Sequence, residues 1–310
     1  MILCLGATPA VQRVMRFRLV VTNSVNRAIA TLEGAAGKSI NVSKVLAALG
    51  EPAAAVGFLG GDRGQRLREH LRPLAITLDF VEVEARTREC VTLLDESAGT
   101  VTELVEESLP VPAQAYAELE TMVTRRLPGC AALVLSGSLT PGGPVDFYLR
   151  QCRLSRETGA LCVVDAHGPS LAAALTAGPD VVKPNRAELA AMRGAEMPDE
   201  AAVRQAMDEL VQRGARRVIV TAGERPTLAS DGHSHWRITP PPVRALNPIG
   251  SGDAFTAALV WRLVRGDDLG EACRWGSAAG AANALTIMAG EVQRAEVERL
   301  AGAARVERLV

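Results

Sequence analysis

The chain is predicted to be an α/β protein with a mainly parallel central sheet. Short apolar runs alternate with amphipathic segments from about residue 110 onward, glycines sit where helix ends belong, and polar turn motifs follow directly on the apolar runs. Met1-Ile-Leu-Cys-Leu-Gly6 reads as a buried first strand ending in a glycine. Val42, Val45, Leu46 and Leu49 share one helical face over Asn41–Leu49, which Gly50 closes. Strands buried on both faces are expected at Ala131–Leu135, Ala160–Val164, Asp180–Val182 and Arg217–Val220. Helices are expected at Pro112–Leu127, Pro144–Thr158, Asn185–Arg193 and Asp199–Arg213, with Gly159 and Gly214 at C-caps. Phe255, Leu259 and Leu263 recur at helical spacing after the turn Gly250-Ser-Gly252. Val14–Leu32 and Arg88–Glu106 break the rhythm and read as strands, the second folded at Glu96-Ser-Ala-Gly99.

Composition narrows the function classes. With 310 residues, 48% hydrophobic and 22% charged, the chain suits one large globular core, and without an internal repeat or linker residues 1–310 read as one domain. A formal net charge of −1 gives no footing for nucleic acid or an anionic membrane, and 3% aromatics offer no stacking platform. Six cysteines without a Cys-x-x-Cys spacing point to a reduced, cytoplasmic protein. The apolar N-terminus lacks the basic leader of a signal peptide, and no apolar run reaches the ~18–20 residues that span a bilayer. The Ala-rich stretch Ser277–Ala289 is too short and is broken by Gly280.

The segment Asn247-Pro-Ile-Gly-Ser-Gly-Asp-Ala-Phe255 carries the strongest chemistry. A glycine-rich turn that opens a helix offers free amides and the positive end of the helix dipole to an anion. Asp253 sets a carboxylate beside that cradle, either to orient an acceptor hydroxyl in phosphoryl transfer or simply to cap the helix. Ser136-Gly-Ser138, Lys183-Pro-Asn185 and Thr221-Ala-Gly223 each follow a predicted strand, so they should converge where parallel sheets bind ligands. Gly34-Ala-Ala-Gly-Lys-Ser39 imitates the end of a P-loop, but Leu32 stands where that motif needs glycine. His233-Ser-His235 reads as a hairpin tip or edge beside Trp236, with no second His or Cys segment to complete a metal site.

Seven stretches in order extend this reading: Val25-Asn26-Arg27, Gly37-Lys38-Ser39-Ile40-Asn41-Val42, Gly57-Phe58-Leu59-Gly60-Gly61, Thr87-Arg88, Ser136-Gly137-Ser138-Leu139, Lys183-Pro184-Asn185 with Glu188, and Gly250–Asp253. Through them the chain resembles, from Met1 to about Val292, the ribokinase-like (PfkB) carbohydrate kinases, nearest the branch containing 1-phosphofructokinase, tagatose-6-phosphate kinase and the minor 6-phosphofructokinase. The resemblance implies a three-layer α/β/α fold with a small β-strand lid inserted at about 13–33 and 88–106, through which related enzymes often form homodimers. It implies ATP and Mg²⁺ as cofactors, with Asp253 as the base and Gly250, Ser251 and Gly252 as the anion hole. It places Arg27, Arg88 and Ser138 on the substrate's own phosphate, and Gln12, Gly37, Lys38 and Asn41 around the sugar. Lys183, Asn185, Glu188, Thr221, Gly223 and Asn283 would serve the nucleotide, Glu188 reaching Mg²⁺ through water.

Four positions depart from the family pattern: Gln12 where that branch has Asp, Ala36 and Ser39 where glycine is usual, and Pro226 in the nucleotide loop. Ala36 and Ser39 are expected to add side chains near the sugar. The function so implied is ATP-dependent phosphorylation of a phosphorylated ketohexose: fructose 1-phosphate, tagatose 6-phosphate or fructose 6-phosphate. Two alternatives stand beside it: a kinase of an unphosphorylated sugar, sugar acid or nucleoside, and a non-catalytic sugar- or nucleotide-binding regulator.

Overall fold

A computed structural model describes residues 1–309. β1 (Ile2–Gly6) enters the core, and β2 (Ala10–Phe17) and β3 (Ala30–Ala36) form a pair beside it. α1 (Lys38–Ala48) follows, then β4 (Ala53–Leu59), α2 (Gly61–Leu71) and β5 (Ile76–Glu82). β6 (Arg88–Asp95) and β7 (Thr100–Val105) make a hairpin. Next come α3 (Ala113–Arg126), β8 (Ala132–Ser136), α4 (Phe147–Thr158), β9 (Leu161–Asp165), α5 (Gly168–Leu175) and β10 (Val181–Val182). After them run α6 (Arg186–Arg193), α7 (Glu200–Gln212), β11 (Val218–Ala222), β12 (Arg225–Ser230) and β13 (His235–Thr239). The chain closes with α8 (Ser251–Leu263), α9 (Leu269–Ala284), α10 (Arg294–Ala301) and β14 (Arg305–Leu309).

Ten strands form one sheet in the order β14-β13-β12-β11-β10-β9-β8-β1-β4-β5. Every pairing from β5 to β11 is parallel, and β12, β13 and β14 extend that edge antiparallel. The period-2 alternation of a strand divides the core. In β1, Leu3 and Leu5 join one cluster with Tyr116, Phe147 and Met207, while Ile2 and Cys4 join another with Val42, Leu259 and Cys273. Helices therefore cover both faces, giving the expected three-layer α/β/α arrangement. All six cysteines are buried and free, as small apolar fillers of these layers. Among the described residues no helix is long and apolar enough to cross a membrane.

The two stretches that broke the rhythm form a separate four-stranded sheet, β3-β2-β6-β7. Its turn at Glu96–Gly99 is held by Asp95, whose Oδ1 accepts from the N–H groups of Ser97 and Ala98 at 3.0 and 2.9 Å. β2 starts at Ala10 rather than near Val14, because it pairs in parallel with β6 from Ala10↔Arg88 onward. α1 likewise begins three residues before the expected Asn41; its first turn carries Lys38, Ser39 and Asn41, so the apolar stripe understates its length. His233 lies in the β12–β13 turn, and His235 opens β13 with Nε2 3.1 Å from Asp208.

Candidate active site

Parallel strands bring their carboxyl ends to one side, and there the predicted motifs meet. Ser136 ends β8, Asp165 ends β9, Lys183 follows β10, and Thr221 lies near the end of β11 and bridges to Asn185. α8 points its N-terminus into the same space. Gly250, its N-cap, has φ 85°, and a Cβ there would come within 2.8 Å of the Ala289 Cβ, so only glycine fits. The Ser251 N–H turns back on the Pro248 carbonyl (3.1 Å), which leaves the amides of Gly250 and Gly252 to face an anion. A Cβ on Gly252 would stand 3.8 Å from Lys183 Nζ, so an ammonium borders the cradle.

Asp253 is buried in the first turn of α8, and Asn41 Nδ2 donates to its Oδ2 at 2.7 Å. Burial pushes its carboxyl up to about 6; Lys38 opposes the rise, and the Asp165 charge adds to it. A carboxylate so poised can take a proton near neutrality, as a general base must. The Asn41 Oδ1 is buried without a hydrogen-bond partner, against Gly290.

Beneath this pair lies a residue that the motifs did not single out. Asp165 Oδ1 accepts from Lys38 Nζ at 3.0 Å, and its Oδ2 accepts from Thr256 Oγ1 at 2.9 Å and lies 3.1 Å from Lys183 Nζ. Burial alone would raise its carboxyl, but Lys183 and Lys38 hold it down at about 2. The same carboxylates, Asp165 first, then Asp253 and Glu188, raise the Lys38 ammonium despite its desolvation. One sequence signal was available: a carboxylate that ends the buried run Ala160–Val164, where such sheets place ligand groups.

Asn185 and Glu188 form a reciprocal capping box on α6, each side chain accepting from the other's backbone N–H at 2.8 Å. Glu188 Oε2 is thereby engaged, while Oε1 points toward Lys38 Nζ at 3.7 Å. Gly223, φ 65°, turns β11 into β12, where Pro226 lies.

At the start of β6, Arg88 Nε and Nη2 donate to the Thr8 carbonyl at 3.3 and 3.2 Å, and Thr8 Oγ1 donates to the Ser138 carbonyl at 3.4 Å. Arg88 and Ser138 thus share one neighbour. Arg27 instead sits in the exposed loop between β2 and β3, without a hydrogen bond or ion pair to a described residue. Gly37, φ 106°, lies against Pro9 and admits no side chain. Gln12 is buried on β2, its Nε2 donating to Thr92 Oγ1 at 2.5 Å.

Two expectations change. Ser39 and Ala36 are buried, and a Cβ on Gly6 would meet Ser39 Oγ at 2.4 Å; the hydroxyl packs into the floor instead of entering the sugar space. Asn283 is fully buried, its Nδ2 donating to the Ile249 carbonyl (2.9 Å) and Ser251 Oγ (3.3 Å) and its Oδ1 accepting from Gly290 N–H (2.8 Å). With its amide engaged inside the protein, it braces the cradle.

The Gly250–Gly252 turn with Lys183 at its edge, and the buried Asp253 in the first turn of the same helix, lie together at the carboxyl ends of the parallel strands. The chain belongs to the pfkB family of carbohydrate kinases, whose family model matches residues 1–294. Tagatose-6-phosphate kinase of Staphylococcus epidermidis is 29% identical over 295 residues, 94% of each chain. Phosphofructokinase-2 from Escherichia coli in complex with fructose-6-phosphate superposes with a TM-score of 0.88 at 29% identity, covering 97% of this chain and 98% of the other. A Thermotoga maritima protein described as a possible 1-phosphofructokinase gives 0.91 at 25% identity, covering 100% and 99%.

Proposed function

We propose that this carbohydrate kinase transfers the γ-phosphate of ATP to a hydroxyl of a phosphorylated ketohexose such as fructose 1-phosphate, tagatose 6-phosphate or fructose 6-phosphate. The observation that carries the reading is the position of Asp253, buried, hydrogen-bonded to Asn41 and set at the mouth of the Gly250–Gly252 cradle. The acceptor hydroxyl donates to Asp253 and attacks the γ-phosphorus. Its O–P bond forms as the bond to the β,γ-bridging oxygen breaks, the proton passes to Asp253, and ADP leaves. The Gly250 and Gly252 amides and Lys183 stabilise charge on the moving group, each donor contributing about 3–4 kcal/mol in comparable sites.

Glu188 Oε1 fits Mg²⁺ held through water, since it accepts no hydrogen bond and lies 3.7 Å from Lys38 Nζ, while both Asp165 oxygens are engaged at close range. When bound there, Mg²⁺ would neutralise charge on the nucleotide phosphates. Thr221 and Gly223 would border the nucleotide. Arg88 and Ser138 would hold the substrate's own phosphate, Arg88 exchanging the neutral Thr8 carbonyl for a bidentate pair with a fully charged anion. The small sheet would act as the lid. Val25 (80% exposed) in its β2–β3 loop and Leu104 (53%) and Val105 (48%) on β7 support pairing with a second copy, which would also cover the Arg27 loop.

The test is ADP release with Mg-ATP against fructose 1-phosphate, fructose 6-phosphate, tagatose 6-phosphate, ribose, fructose and 2-keto-3-deoxygluconate, with Asp253→Ala as control. Turnover on a phosphosugar that the variant abolishes is expected. Turnover confined to a free sugar or acid would remove the phosphate clamp, and silence with ATP bound would favour a regulator.

A further inference from the structure

One half-buried cation beside the site has no part in the chemistry above. Lys44 lies on α1, three residues beyond Asn41, and is half-buried. It makes no ion pair with a described residue; its Nζ donates instead to two main-chain carbonyls, Ala289 at 2.7 Å and Ala35 at 3.2 Å. Burial pushes its ammonium down, and the charge of Glu291 only partly opposes this. A lysine kept charged in such a place, against that cost, needs a reason.

The Ala289 carbonyl supplies one. It belongs to the same peptide plane as the Gly290 N–H, which donates to Asn283 Oδ1 at 2.8 Å, so the plane is held at both edges. That plane is wedged between the two halves of the active site. A Cβ on Gly250 would come within 2.8 Å of Ala289 Cβ and 3.1 Å of Gly290 N. A Cβ on Gly290 would come within 2.8 Å of Asn41 Cα and 3.0 Å of Asn41 Oδ1. One side of the peptide thus abuts the first residue of the anion cradle, and the other abuts the residue that hydrogen-bonds Asp253. Asn283 extends the brace to Ile249 and Ser251 in the same turn. Lys44 also ties in Ala35 on β3, two residues before Gly37 and the start of α1.

We propose that Lys44 is a positioning residue for phosphoryl transfer: its ammonium, bound by main-chain carbonyls alone, pins the Ala289–Gly290 peptide that spaces the anion cradle from the Asn41–Asp253 pair. The proposal rests on the kinase reading given above. An ammonium suits this task because a charge-assisted bond to a carbonyl is shorter and stronger than a neutral one. Lys44 touches neither reactant. It acts through distance, and a misplacement of about 1 Å between reacting groups can cost on the order of 10²-fold in rate.

The experiment compares full-length wild type, Lys44→Met and Lys44→Arg. Methionine keeps much of the apolar stem and removes the donor; arginine keeps a charged donor. Steady-state kcat and KM are measured for sugar and ATP, and amide hydrogen exchange is followed by mass spectrometry over residues 285–291 and over β6 and β7. In Lys44→Met we expect kcat to fall about tenfold or more with the sugar KM changed less than about threefold, and exchange to accelerate in 285–291 but not in β6 and β7. Lys44→Arg should return kcat to within about threefold of wild type and slow that exchange again. Wild-type kcat and unchanged exchange in Lys44→Met would overturn the proposal. So would a loss that accompanies faster exchange throughout the molecule, which marks general stability alone. A wild type inactive on every sugar would sink the kinase reading instead, and the exchange data would still decide whether Lys44 pins the peptide.

Discussion

The floor of the cleft buries its charges, whereas the outer strand of the small sheet, β7, and the β2–β3 loop expose apolar side chains. On the floor, Asp165 and Lys183 are only 1% and 3% exposed, and each is engaged by an opposite charge or a hydroxyl. On the lid, Val105 stands half exposed and the Arg27 loop is exposed and makes no hydrogen bond to the site. Charges inside a low-dielectric floor interact strongly and cannot rearrange cheaply, which suits groups that must be in place before reaction. As the proposed lid, this separate sheet would move over a substrate and read its shape. The difference assigns rate to the floor and selection to the lid, and each half can be broken separately.

The largest effect belongs to Asp253. Asp253→Asn should lower kcat by roughly 10²–10⁴-fold, the usual worth of a general base. It should also stabilise the fold. The folded carboxyl titrates at about 6, above its ordinary value of 3.8, so its charged form is penalised in the folded state. That penalty is fully present above pH 6 and disappears below the ordinary carboxylate range. The variant should therefore gain as much as roughly 2–3 kcal/mol at pH 8 and little at pH 4, read by denaturant titration at both values.

Asp165 is predicted to show the opposite sign. Its folded carboxyl is held at about 2, so its stabilising contribution is present at neutral pH and is lost as pH falls toward 2. Asp165→Asn leaves Lys183 buried beside a neutral amide and should cost about 3–5 kcal/mol. If Asp165→Asn stabilised the protein at pH 8, the buried ion cluster would not be part of the rigid floor.

Smaller effects belong to the lid. Arg88→Ala should raise the KM for a phosphosugar by about 10–100-fold with kcat nearly kept, because a guanidinium on a remote phosphate contributes binding more than rate. Arg27→Ala should have a weaker effect that grows with protein concentration if a second copy orders its loop; sedimentation beside the KM series tests this. Smallest is the pH dependence: kcat/KM should rise with pH to a plateau with a midpoint near 6, as Asp253 loses its proton. A flat profile from pH 5 to 8 would remove Asp253 as the titrating base.

The parts legible in the sequence were those with a local backbone reason. Gly250 and Gly37 sit at left-handed turns, and Asn185 with Glu188 forms a cap within one turn of helix, so short motifs report them. Asp165 was hidden because its meaning is non-local: its partners Lys38, Lys183 and Thr256 come from three distant elements. Asn283 misled for the same reason, since an Asn in an Ala-rich helix looks alike whether it faces a ligand or a loop. Ser39 seemed to intrude on the sugar because its direction depends on Gly6 across the sheet. The start of α1 escaped because a polar first turn that serves a site carries no apolar period.

The most direct test of the division between floor and lid is the ratio of kcat/KM for a phosphosugar to that for its free sugar, measured in wild type and in Arg88→Ala. The variant is expected to collapse this ratio while turnover on the free sugar stays at its wild-type level. An equal loss on both substrates would contradict that division, placing Arg88 in the chemistry and leaving the lid without the role of selecting the phosphate.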